Sequence, residues 1–293
     1  MITENQLKSI VEQVIKEMSE TAEVNVPDTI NNKLDNPMED KGLFDITGIN
    51  LREQLLIDNP NNKEAYLNFK KSTSARIGIS KAGARCKTQS LLRFRADHAV
   101  AMDAVFTDVS EEFIKDMNLK SITTLVSDQD EYLTRPDLGR RFDDETLKFL
   151  KDNFEKDMQV LVYISDGLSS TAIETNAKDT FKAIEQGLKG HGIKMGTPFF
   201  VKYGRVAAME PIATVLNPDV IAVLIGERPG LATGESMSCY MAYRPTIGMP
   251  ESRRNVISNI HKGGTPAIEA GAHIADVLKK MLDQKASGLD LKL

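Results

Sequence analysis

The chain has no tryptophan and only two cysteines, Cys86 and Cys239, among its 293 residues. Two distant thiols cannot build a disulfide framework, and their spacing matches no zinc pattern. So little cysteine suits a reducing cytoplasm, and no apolar leader core stands at the N-terminus, so secretion is not expected. Long apolar runs are also missing. The longest, Val220–Ile225, is far short of the roughly 18 residues that suggest a membrane-spanning helix, so no membrane partner is expected. Basic excess is absent as well: 37 Lys and Arg stand against 42 Asp and Glu, for a net charge of −5. A nucleic-acid partner calls for the opposite bias.

What is present is an ordinary soluble composition, 41% hydrophobic and 27% charged, enough for a real core. Leu7, Ile10, Val11, Val14, Ile15 and Met18 recur three and four apart, which predicts an amphipathic helix over 1–20. Thr3 and Gln6 match a capping box at its start. Residues 21–42 are polar, hold two prolines and show no period, and read as a flexible linker. A helix on such a tether either packs back on its own domain or lays its apolar face into a groove on another protein.

Residues 43–155 read as a mainly helical domain. Helices are expected over Thr88–Val105 and from Asp144 to Phe154, the latter capped by Asp143. Tyr132–Arg141 reads as a loop punctuated by proline and glycine. The basic cluster of Arg76, Lys81, Arg85, Lys87, Arg93 and Arg95 is a solvated or internally paired face, or a contact for an acidic partner subunit.

From 156 to 293 the pattern changes. Val160–Ile164 and Val220–Ile225 are unbroken apolar runs, suited to strands buried on both faces. Further strands are expected at Pro198–Lys202, Ser238–Tyr243 and Asn255–Ile260. Helices are expected after Ser169, with Thr171 and Glu174 as a second capping box, over Ala207–Leu216, and over Pro266–Gln284. This alternation predicts the α/β class: a helical N-terminal region followed by a Rossmann-like, open, mainly parallel β/α sheet with right-handed crossovers.

Ligands of such sheets sit beyond the carboxyl ends of the strands. Three loops should meet there: Ser165–Ser169, Tyr203–Val206 and Gly226–Gly230. Gly167, Gly204 and Gly226 would let a bulky ligand approach the backbone. Asp166 suits a loop or cap role better than that of a catalytic acid. Glu227 either pairs with Arg228 or accepts hydrogen bonds from a ligand. His261 could touch a ligand, although a hydrogen-bonded loop histidine is the commoner outcome. No Ser/His/Asp order, Cys/His pairing or P-loop is present, and Gly190-His-Gly-Ile-Lys-Met-Gly196 precedes a strand, whereas a dinucleotide fingerprint comes after one.

At these loops the chain resembles the small (light) subunit of ethanolamine ammonia-lyase. The resemblance rests on Arg93-Phe-Arg-Ala-Asp-His98, Tyr132-Leu-Thr-Arg-Pro-Asp-Leu-Gly-Arg-Arg141, Ile164-Ser-Asp-Gly-Leu-Ser169, Gly196-Thr-Pro-Phe-Phe-Val201, Gly226-Glu-Arg-Pro-Gly-Leu231 and Ser258-Asn-Ile-His-Lys-Gly-Gly-Thr-Pro266. It implies an adenosylcobalamin-dependent enzyme that converts ethanolamine to acetaldehyde and ammonia by a radical route. A large subunit with a TIM barrel would hold the substrate, and this subunit, inactive alone, would cover the cobalamin from the other side.

Cofactor contacts carry over to Val206 and Glu227. A third family position, often cysteine, is Val256 here, which could act through backbone or apolar packing. Ser165, Asp166, Gly167, Leu168 and Ser169 are further lining candidates. Some cobalamin domains offer an Asp-x-His-x-x-Gly histidine to cobalt, and Asp166-Gly-Leu-Ser169 lacks it. No catalytic or metal-ligating residue is expected. The N-terminal helix looks like the peptides that steer enzymes to shell or cargo proteins of bacterial microcompartments. A rival reading is a cobalamin- or nucleotide-binding adaptor with no part in turnover.

Overall fold

Val160–Ser165 and Val220–Gly226 are buried at every position, as two-sided cover of a central strand requires. The computed structural model describes residues 45–293. The expected helix over 1–20 and the linker over 21–42 lie outside the described residues. In chain order the first elements are α1 (Lys63–Lys71), a short antiparallel pair β1 (Lys81–Ala82) and β2 (Arg85–Cys86), α2 (Thr88–Phe106), α3 (Glu111–Asp116) and β3 (Lys120–Thr123). Then come α4 (Gln129–Thr134), α5 (Asp144–Asn153), β4 (Val160–Ser165), α6 (Ser170–Gly190), β5 (Phe199–Lys202) and α7 (Met209–Leu216). Strands β6 (Val220–Gly226), β7 (Met237–Tyr243) and β8 (Asn255–Ile260) and helix α8 (Ala267–Gln284) complete the chain.

The six-stranded sheet has the order β3-β5-β4-β6-β7-β8. The pairs β3/β5, β5/β4 and β4/β6 are parallel, and β6/β7 and β7/β8 are antiparallel. The fold is thus α/β with a mixed, mainly parallel sheet. The expected chain of crossovers stops at β6, because residues 227–236 contain no helix to carry the chain back along the sheet. As a result β7 starts, and β8 ends, at the edge where β4, β5 and β6 end.

On one face α6 and α8 pack over Val162, Ile164, Ala222, Leu224, Cys239 and Met241. On the other, α5 and α7 cover Leu161, Tyr163, Val223, Ile225 and Phe199. The rings of Tyr163 and Phe199 stack there at 5.5 Å between centroids.

Three expectations need correction. Lys120–Thr123, inside the stretch read as helical, is an edge strand of the sheet, with only Ile122 turned inward. One apolar residue in four leaves no strand signal to read. Residues 129–134, partly assigned to a loop, form α4, capped by the Asp128 carboxylate. The cap of α6 is Ser169, whose Oγ accepts from the Ala172 N–H at 3.1 Å. Glu174, the expected partner of Thr171, instead accepts from the Ser110 N–H across the fold at 2.7 Å. Asp143 does cap α5, through the Thr146 N–H at 2.7 Å. No helix of the described residues is long and apolar enough to cross a membrane.

Helices α6 and α8 lie close because glycine marks their contact. A Cβ at Gly271 would fall 2.5 Å from the Thr180 carbonyl oxygen, and one at Gly187 would fall 2.5 Å from the Ala275 Cβ. Gly271→Val should therefore cost about 1–3 kcal/mol in urea unfolding, since backbone cannot yield as a side chain can. Gly190→Ala, at a helix end with open space around it, should be neutral or gain roughly 0.5–1 kcal/mol.

Candidate functional site

Two carboxylates organise the strand ends, and they do so differently. Asp166 comes directly after β4 and is buried. Its Oδ2 accepts from the Tyr203 N–H at 2.7 Å, and its Oδ1 from the N–H groups of Gly167 at 2.8 Å and Gly204 at 3.3 Å. The Ser165 hydroxyl lies 3.2 Å from Oδ1. This carboxylate thus bolts the β4–α6 loop to the β5–α7 loop. Burial pushes its pKa up to about 6 against the downward pull of these hydrogen bonds.

Around it the Tyr132–Arg141 segment closes in. The Tyr132 hydroxyl donates to the Gly204 carbonyl at 2.9 Å. The Arg205 guanidinium lies over the Tyr132 ring at 4.0 Å and donates to the Tyr132 carbonyl at 2.6 Å. The backbone N–H of Arg205 donates to Gly139 O at 2.8 Å.

Glu227 comes directly after β6 and is half-buried. It does not pair with Arg228. Its Oε1 accepts from Ser238 Oγ at 2.5 Å and from the Asn259 N–H at 2.9 Å, and its Oε2 accepts from Ser236 Oγ at 2.9 Å. One side chain therefore clamps the ends of β6, β7 and β8. Ser258 Oγ is 2.9 Å from Ser238 Oγ. Since Ser238 spends its single proton on Glu227, Ser258 must donate to it. A carboxylate offers about four acceptor positions, and one on Oε2 meets no donor among the described residues.

The expected lining residues separate into two groups. Ser165, Asp166, Gly167 and Ser169 are buried and joined to the protein itself. Ser165 Oγ donates to Val201 O at 2.8 Å, and Ser169 Oγ to Gly234 O at 2.5 Å. Leu168, Val206 and Glu227 are half-buried, and Val256 is 47% exposed. The glycines serve loop packing instead of ligand approach. A Cβ at Gly167 would lie 2.4 Å from Gly226 O, one at Gly226 2.2 Å from Ser169 O, and one at Gly204 2.4 Å from Ser165 Oγ. His261 is a hydrogen-bonded loop residue. Its Nδ1 accepts from the Gly263 N–H at 3.1 Å, so Nε2 carries the proton and donates to Asn259 Oδ1 at 2.9 Å.

Register places Tyr163, Val223, Tyr240 and Val256 in one row across the sheet. Helix α7 covers the β6 end of that row. At its other end Tyr240 is half-buried and Val256 open, beside the Glu227 clamp and on the same face. Chemically this is a shallow apolar strip with an anionic acceptor at its upper edge.

Residues 63–292 match the family described as ethanolamine ammonia-lyase light chain (EutC). The chain belongs to this family. A protein of Clostridium tetani named ethanolamine ammonia-lyase small subunit is 56% identical over 295 residues, covering 100% of both chains. Proteins of the same name from Clostridium perfringens and Listeria monocytogenes are 51% and 47% identical, each spanning 99% of this chain and 100% of their own.

The match to the ethanolamine ammonia-lyase light-chain family includes every residue of both carboxylate hubs. Sequence reasoning missed Ser236, Ser238, Ser258, Tyr132 and Arg205 as site builders. It also missed the ion pair of Glu210 with Arg254, in which Glu210 Oε2 takes the Gly248 N–H at 2.8 Å. Serines of β7 and β8 carry no signal until register sets them beside Glu227. Arg93-Phe-Arg-Ala-Asp-His98 builds a different place: Asp97 binds Arg76 at 2.5 Å and Arg93 at 2.9 Å.

Asp166 yields a pH test. Its folded pKa lies above the ordinary carboxylate value near 4, so its neutral form favours folding. That stability is complete below about pH 4 and is lost as pH rises through about 6. Urea midpoints across this window should therefore fall with pH more steeply in the wild type than in Asp166→Asn. Parallel profiles would show that Asp166 does not titrate there.

Proposed function

We propose that the chain is the small subunit of an ethanolamine ammonia-lyase, and that it seats adenosylcobalamin against the enzyme's large subunit. Its relatives carry the subunit name, and ethanolamine ammonia-lyase is by its name a lyase. The observation that carries the cofactor reading is the open Oε2 position of Glu227 beside the apolar strip that holds Val256.

The residues fit such a group. Cobalamin has a broad ring with amides around its rim. An unfilled carboxylate acceptor suits an amide N–H, and Val206, Val256 and Leu168 suit the flat apolar surface. When bound, the cofactor supplies radical chemistry from its cobalt–carbon bond. The chain's own residues bind, orient and exclude water. Glu227 accepts a rim hydrogen bond without moving, because Ser236, Ser238 and the Asn259 N–H already hold it. Ser165, Asp166, Gly167 and Ser169 act from beneath, keeping the two loops at a fixed height.

In this reading the substrate is held by the large subunit, and turnover requires both chains. The family resemblance further suggests a cytoplasmic location inside a microcompartment, with residues 1–20 as the address for shell or cargo proteins. Removing residues 1–20 should then abolish encapsulation of a fluorescent fusion and leave turnover unchanged. Turnover lost together with encapsulation would contradict the address role.

Glu227→Gln keeps the shape and removes the charge, and should weaken cobalamin binding to the assembled enzyme by roughly 1–3 kcal/mol. Val206→Asp should weaken it further by setting an unpaired charge against the ring. Unchanged affinity in both variants, read from the cofactor's visible absorption on titration, would remove this face as the seat. Full turnover by the large subunit without this chain would remove the subunit role.

A further inference from the structure

Strand β8 carries Val256 and is held by the sheet on one side only, through β7. Its register with β7 shifts between Met237 and Cys239, and of its six residues only Ile260 is buried. So lightly engaged a strand does not fix the position of its own side chains.

Carboxylates pin it at both ends. At the far end the Glu227 clamp accepts from the Asn259 N–H at 2.9 Å. At the near end Arg254, the residue just before the strand, is ion-paired with Glu210 of α7. Both side chains are buried, Arg254 6% and Glu210 9% exposed. Glu210 Oε2 also accepts from the Gly248 N–H at 2.8 Å, which draws in the connection from β7.

Geometry links this pair to the apolar strip. Residues two apart on extended backbone point to the same face, and Arg254 is extended. Arg254 therefore stands one row from Val256, on the face that Val256 shares with Tyr240. Opposite, the turn Val206–Ala208 runs into α7. Residues four apart in helical backbone share a side, so Glu210 lies one turn beyond Val206. Val206 and Tyr240 pack on the same core layer. Burial first, and then the charges of Glu227 and Glu251, raise the pKa of the Tyr240 phenol, while Arg254 opposes them. The Tyr240 ring thus senses the charges at both ends of β8.

Stability alone gives no reason for an ion pair here. Arg254 Nε is sealed from solvent and has no hydrogen-bond partner among the described residues. Buried ion pairs are often matched in stability by apolar residues of similar volume. A charge-assisted hydrogen bond fixes a direction, however, and an apolar contact does not.

We propose, on the cofactor reading above, that Glu210 and Arg254 are positioning residues of the seat. Their pair sets the separation between the Val206 turn and Val256, the two apolar contacts assigned to cobalamin.

The test replaces the pair by an apolar one, Glu210→Leu with Arg254→Met, in the enzyme assembled with its large subunit. The unfolding temperature should match or exceed that of the wild type. Amide exchange across Asn255–Ile260 should nevertheless become faster, and cobalamin affinity, followed by visible absorption, should fall about 3–20-fold. Arg254→Lys keeps the charge and should stay nearer the wild type in both readouts. If the double variant does not assemble, Glu210→Gln should show the same faster exchange and weaker affinity. A purely structural pair would lower the unfolding temperature and leave exchange and affinity of the folded enzyme as they were, and that result overturns the proposal. Glu227→Gln, run in parallel, separates the two failures. If it too leaves affinity unchanged, the seat is lost and the positioning role with it. If it weakens binding while the pair variants do not, only the positioning role is removed.

Discussion

A strand buried on both faces has no side chain free to meet a ligand. Strands β4 and β6 are buried at every position, so they can serve function only through the residues just past their ends. That constraint makes Asp166 and Glu227, the first residues beyond the two strands, the organisers of the molecule's upper edge. The loops around them cannot drift, because Gly167 and Gly226 let their backbones touch where any side chain would collide.

The two carboxylates show how environment separates roles among like residues. Asp166 is enclosed, carries hydrogen bonds from three backbone N–H groups, and has its pKa raised by burial. Burial, more than the count of its donors, closes it to anything but its own loops. Glu227 is half-buried and has three donors for about four positions. A held carboxylate with one open acceptor is preorganised: it binds an N–H without the entropic cost of ordering its side chain. The antiparallel return of β7 makes this possible, since it brings Ser236 and Ser238 back to the end of β6.

The basic stretch from residue 76 to 95 resolves into separate jobs. Arg76 and Arg93 converge on Asp97, and Arg93 also donates to Ile46 O at 2.7 Å and Ile49 O at 2.8 Å. These guanidiniums tie the start of the described chain to α2. Lys87 is bound to Asp58. Arg85 is exposed and has no carboxylate partner among the described residues, beside a helix start without a side-chain cap. A row of charges that reads as one surface feature is therefore divided by partners distant in sequence.

The sequence by itself determined the α/β class, the central strands and most helices, because unbroken apolar runs and 3.6-residue periods are local signals. It also suggested Val206 and Glu227 as contacts, through motifs it shares with one family, and Val256 as a position where it departs from that family. The tertiary structure alone decided how these residues meet. Lys120–Thr123 joins the sheet with a single buried side chain, so its identity as a strand comes from pairing with β5. Ser238 and Ser258 become partners of Glu227 and of each other only through the register of β6, β7 and β8. Hydrogen bonds between distant residues leave no period in a sequence, and whether a loop residue is open or sealed is set by what folds against it. For that reason Ser165, Asp166, Gly167 and Ser169 could be foreseen as a group, while their burial beneath the surface could not.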